Sequence, residues 1–204
     1  MSPRPALLAL AALLAAPPAS ADPPSPHAGL MIRAAVGVGY DAVRGDDSAL
    51  ALAGVALGSH LAVGWYLVPG LALHATIWSG AAFNPTGTSP AGAASVSRDN
   101  TPSATGRGLG VTWVYAPLDA WASASVGLSA IDLQTTVADV VVVARPELGV
   151  GFEVMVGKQF EVAAGWRFGV GAQGFVHRNP VVTGGVREAV TSGGAALLGT
   201  LTYH

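Results

Sequence analysis

Residues 160–175, FEVAAGWRFGVGAQGF, separate by parity. The even positions hold Phe160, Val162, Ala164, Trp166, Phe168, Val170 and Ala172, and the odd ones hold Glu161, Ala163, Gly165, Arg167, Gly169, Gly171 and Gln173. A period of two marks a strand, whose side chains alternate between its two faces. A membrane helix over the same residues would place Glu161 and Arg167 in hydrocarbon. One face of this strand needs apolar surroundings, and the other accepts glycine and charge.

The pattern recurs along the chain. Strands are expected near 29–41, 49–64, 71–82, 108–117, 120–131, 147–157, 161–176 and 193–203. Their apolar rows run through Val36 and Val38, Val55 and Leu57, Leu73 and Ile77, Val111 and Trp113, Val126 and Leu128, Phe152 and Val154, Trp166 and Phe168, and Leu197 and Leu201. Only 11% of the residues are charged while 51% are apolar. A soluble domain carries about 25% charged residues, so this chain lacks a charged coat and lipid must be part of its solvent. Lipid admits helices or closed barrels, since every backbone polar group needs an internal partner. The stretch 49–73 is apolar enough for a helix but would scatter Gly54, Gly58, Gly64 and Pro69 along it. The fold class that follows is all-β: an antiparallel up-and-down transmembrane β-barrel of eight strands over residues 29–204. Strands of ~9–11 residues cross a bilayer when tilted.

The remaining organisation is consistent with export. Residues 1–21 have a basic start at Arg4, a short apolar run and small residues at Ala19-Ser20-Ala21, the layout of a signal peptide. Residues 22–28 are expected to form a periplasmic N-terminal tail. The absence of cysteine removes thiolate chemistry and disulfides, and a net charge of −2 leaves no basic footprint for nucleic acid. Tight connections are expected at 65–70, 117–119 and 158–160, and longer loops at 42–48, 83–107, 132–146 and 177–192. The charges well inside the expected strands are Arg33, Glu153, Glu161 and Arg167, all on the glycine-bearing face. An Arg on the lipid face near mid-membrane costs ~2–4 kcal/mol, which accounts for that placement.

With its eight alternating strands, short-turn and long-loop asymmetry and aromatic-ended last strand, the chain resembles the small OmpA/OmpX-type outer-membrane β-barrels. The most specific element is GTLTY, where Gly199, Leu201 and Tyr203 are similar to the C-terminal assembly signal of such proteins, followed here by His204. The resemblance implies the outer membrane of a Gram-negative bacterium, with the bilayer and lipopolysaccharide as surroundings. It also implies barrel-assembly machinery and periplasmic chaperones as transient partners, and a structural or surface-interaction role carried by extracellular loops toward an unknown ligand. No cofactor is called for.

Several residue-level expectations follow. Arg33, His60, His74, Glu153, Glu161 and Arg167 should form a polar network that plugs the lumen, Glu153 offsetting Arg167 and Arg33. His60 and His74 should lie opposite each other if the hairpin centres on Leu67, but no third residue completes a metal site. Trp65, Tyr115, Phe160 and Tyr203 should line the periplasmic interface, and Tyr40, Trp78 and Phe175 the outer one. The 24 residues 84–107 should be a solvated extracellular loop. Rival readings are a narrow proton or ion channel, a lipid A-modifying enzyme using His177 with Ser192, and a soluble lipocalin-like carrier. The carrier would turn the apolar rows inward.

Overall fold

The computed structural model describes residues 29–46, 51–83, 85–88, 102–132, 134–137, 140–143, 145–183 and 186–204. The expected signal peptide (1–21), the tail (22–28) and residues 89–101 of the long loop lie outside the described residues. Eight long strands carry the fold: β1 (Gly29–Gly45), β2 (Ala51–Val68), β3 (Leu71–Ala82), β4 (Ser103–Tyr115), β5 (Ala120–Asp132), β6 (Gly149–Ala163), β7 (Trp166–Thr183) and β8 (Val186–Tyr203). Each pairs antiparallel with its neighbours in sequence, and β8 pairs with β1 to close the sheet. Among the described residues no helix is long and apolar enough to cross a membrane.

Register sets the shape of the barrel. A walk across the strands from Arg33 passes Ala62, Thr76, Gly108, Gly127, Gly151, His177 and Ser192, and returns to β1 at Val43. That stagger over eight strands tilts them by about 40° and leaves an interior that side chains can fill. Outside, the apolar rows point away from the axis on every strand, with Val38, Val55, Leu73, Val111, Leu128, Val154, Phe168 and Leu197 all exposed. A lipocalin-like carrier is overturned by this direction. The exterior is that of a membrane-spanning barrel of the outer-membrane type.

Three tight turns gather at one end with the two ends of the barrel sequence. They are built on Pro69–Gly70, on Ala116–Asp119 and on Ala164–Gly165, where Gly70 (φ +81°) and Gly165 (φ +75°) take the left-handed conformation that favours glycine. The expected turn at 158–160 is corrected: β6 continues to Ala163 through a bulge, and Lys158 to Phe160 remain paired with β7. At the opposite, loop end the strands run further than the periodicity predicts. Residues 177–192 are not a loop, since β7 and β8 stay paired as far as Thr183 and Val186. Residues 86–88 pair with the start of β2, and 134–137 pair with 140–143, so two of the expected loops hold short strands.

Candidate functional site in the barrel lumen

Inside, the side chains stack in layers. At the turn end Arg167 donates to Asp119 at 2.7 Å and to Glu161 at 3.3 Å. Glu161 is exposed there, at the rim rather than in the lumen. The expected pairing of Glu153 with Arg167 is corrected, because Arg167 finds its carboxylates in the turn before β5 and near the end of β6.

One layer further in, the Arg33 guanidinium lies 3.8 Å above the centre of the Trp121 ring and donates to Thr202 (3.2 Å) and Thr112 (3.4 Å). His74 is hydrogen-bonded through Nε2 to Thr112 and Ser123, at 3.1 and 3.3 Å. At mid-barrel His60 Nδ1 stands 3.0 Å from both Glu153 oxygens, and Gln173 donates to Glu153 at 2.6 Å. His60 and His74 do not face each other across the hairpin. The hairpin turns at Pro69–Gly70 rather than about Leu67, and with a one-residue bulge between Tyr66 and Val68 this pairs His60 with Trp78 and His74 with Gly64. Their rings still approach edge-on with centres 6.4 Å apart. No cluster of three potential metal ligands occurs among the described residues.

Above this dyad the lumen turns aromatic. Trp78 stacks on His177 with centres 5.9 Å apart, and Phe175 tilts against the same imidazole at 5.4 Å. Trp78 and Phe175 are therefore not members of an outer aromatic girdle; both are buried and point inward. The physical reason is uninterrupted parity, together with bare backbone facing them: a Cβ on Gly106 would enter the Trp78 ring and one on Gly80 the Phe175 ring. Tyr40, Trp65, Tyr115, Phe160 and Tyr203 do face outward, joined by Trp113 and Trp166 near the turn end.

Towards the loop end, Ser192 donates to buried Asp41 at 3.1 Å, and Ser129 and Asn179 bond each other through Ser129 Oγ (2.7 Å) and Asn179 Nδ2 (2.7 Å to the Ser129 carbonyl). Val43, Leu52, Ala104, Ile131, Val181 and Val190 then close the interior with an apolar cap. His177 lies opposite Ser192 in register, and Asp41 is bonded to the same serine. The three residue types of a hydrolase triad thus meet, but the hydroxyl gives its proton to the carboxylate and not to the imidazole. They also lie inside the barrel under the cap, away from the lipid-facing rim at which a lipid A enzyme would act.

Arg33, His60, His74, Glu153 and Arg167 are all buried in the lumen. Trp121, Asp41, Gln159 and Asn179 join them and were not singled out by sequence. Their signal was available in parity: Trp121 is the bulky member of a strand whose alternate row is Ala120, Ala122 and Ala124. Arg107 departs from the lumen rule. Arg107 lies within β4, on its outward face, between Ile77 and Leu128 in register. Its neighbours on that face are the cross-strand row Ser59, Ser79 and Thr105, with the two serine hydroxyls 2.8 Å apart.

No family model and no curated protein matches the sequence. Solved structures do match by shape. Neisserial surface protein A superposes with a TM-score of 0.51 at 9% identity, over 86% of this chain and 96% of that one. The outer membrane protein OprG from Pseudomonas aeruginosa gives a TM-score of 0.49 at 6% identity, over 88% and 97% of the two chains. The outer membrane protease OmpT from Escherichia coli gives 0.46 at 8% identity, over 91% and 98%. At 9% identity, what the chain shares with neisserial surface protein A is the barrel fold.

Proposed function

We propose that this chain is an integral outer-membrane protein that works through its surface and loops, with a lumen closed to ions and solutes and no catalysis of its own. The observation that carries the reading is the continuous filling of the interior. From Arg167 at one end to the apolar cap at the other, each layer holds large side chains with almost no exposure. Eight strands leave little space beyond what those side chains occupy. The turn end, with its short connections, is the periplasmic one, and the longer connections face outward from the cell. Lipopolysaccharide surrounds the outer half of the barrel. Barrel-assembly machinery would read the last strand, where Gly199, Leu201 and Tyr203 lie in one outward row and Tyr203 packs on Trp166 at 5.1 Å.

Recording from purified protein in planar lipid bilayers tests the closed lumen. The expected record is a quiet baseline at potentials where a porin control opens in clear steps. Reproducible porin-sized steps from the unmodified protein would overturn it.

A further inference from the structure

We propose that the outward face around Arg107 on β4 is a binding site for a lipid phosphate, that of the lipid A part of lipopolysaccharide in the outer leaflet. The site rests on the outer-membrane reading above, with the loop end facing out of the cell. Arg107 is exposed on the lipid-facing side and, among the described residues, makes no ion pair. Its register neighbours are Ile77 and Leu128, so no carboxylate stands directly beside it on either adjoining strand. A charge turned toward hydrocarbon costs stability, and such residues mark functional positions whose partner has to be found. For Arg107 the protein does not supply that partner, which leaves the lipid it faces.

Depth selects the kind of lipid group. Arg107 stands eight residues along β4 from Tyr115 at the turn-end interface. At ~3.3 Å per residue and a tilt of about 40°, that lifts it ~20 Å through an apolar belt ~25 Å tall. The outer boundary of the belt then lies within reach of an extended arginine, whose stem stays in the apolar layer while its head meets the headgroups. Hydroxyls accompany it on the same face. Ser79 opposes Thr105, two residues from Arg107, and is thus a diagonal neighbour within range of so long a side chain. The Ser59 and Ser79 hydroxyls are 2.8 Å apart, and the one hydrogen bond between them leaves the accepting hydroxyl its own proton to donate. A guanidinium fork beside hydroxyl donors suits a phosphate, which it can hold through two parallel N–H bonds. A second copy of the chain is the poorer occupant, because a twofold contact here would bring one Arg107 toward the other.

A ligand that binds only the folded barrel raises its unfolding midpoint. The protein is therefore refolded into phosphatidylcholine vesicles, whose phosphate is balanced by its own choline, and into the same vesicles carrying lipid A or dephosphorylated lipid A. Unfolding by urea is followed in each. The expected result is a midpoint that rises with lipid A, but not with the dephosphorylated lipid or with inorganic phosphate added to the buffer. Arg107→Leu should fold with no loss of midpoint in phosphatidylcholine alone and should lose the response to lipid A. Arg107→Lys should keep part of the response, as a point charge without the fork. An undiminished response in Arg107→Leu, an equal response to the dephosphorylated lipid, or a rise with inorganic phosphate alone would overturn the proposal. So would dimers that form without lipid A and dissociate in Arg107→Leu. Insertion itself, read from heat-dependent migration on gels, checks the membrane-barrel reading separately. A chain that inserts but ignores the lipid A phosphates loses this site alone.

Discussion

Glu153 is the residue on which the middle of the lumen depends. It accepts from His60 and from Gln173 with almost no access to water, so its stability depends on those hydrogen bonds. Removing one partner of such a buried set typically costs ~3–5 kcal/mol. Glu153→Ala should lose about that much in equilibrium unfolding by urea in a lipid or detergent host, and Glu153→Gln less, since the shape and one acceptor persist. An unchanged unfolding midpoint for the alanine variant would contradict the dyad. A second residue-scale prediction concerns the aromatic layer. Gly80→Ala places a methyl group against the Phe175 ring and should cost ~1–3 kcal/mol by overpacking. Phe175→Leu in the same chain should recover part of that loss, so the two changes should be non-additive in a double-mutant cycle. That Arg33, His60, Glu153 and Arg167 lie inside was legible, because a charge on a glycine-rich face opposite an apolar row has one economical place to go. Their partners were not legible. The partner of Glu153 depends on register carried across several strands, and the hairpin turns at Pro69–Gly70, with a bulge at Tyr66 to Val68, where symmetry about Leu67 does not place it.

Each strand presents one row to lipid and one to the lumen, so the effect of a charge depends on parity and depth. Val154 is at the middle of the outward row of β6, and Val154→Arg should cost ~2–4 kcal/mol. Tyr115, at the turn end of β4, meets the interface, and Tyr115→Arg should cost no more than ~1 kcal/mol. Equal penalties at the two positions in unfolding measurements would mean that the belt is drawn in the wrong place. Parity was the most legible property of the elements, because the apolar rows read from sequence point outward on all eight strands. The strand ends were less so. Residues 177–192 read as a loop by their polarity, although both strands continue past the apolar belt to Thr183 and Val186. Lys158 and Gln159 suggested a turn by polarity, whereas the left-handed glycine at 165 makes it. Arg107 falls at the end of the expected loop 84–107, whereas backbone pairing with Ile77 and Leu128 puts it in a strand.

At the scale of the whole molecule, sheet closure, the stagger of the register and the layered lumen form one design. Closure removes the sheet edges, as a lipid setting demands. The stagger gives an interior of side-chain width, and the glycines let Trp78, Phe175 and Trp121 fill it. The central claim is that lipid lies outside the barrel and the packed polar column inside. The chain has no cysteine, so single cysteines can be introduced without a background. The most direct measurement is a nitroxide scan of residues 151–157 on β6 in lipid vesicles, recording collision with oxygen, which partitions into lipid, and with a polar nickel chelate. Positions 152, 154 and 156 should be accessible to oxygen and shielded from nickel, with 151, 153, 155 and 157 shielded from oxygen. Loss of the two-residue period, or oxygen access at the odd positions instead, would contradict the barrel's inside-to-outside assignment.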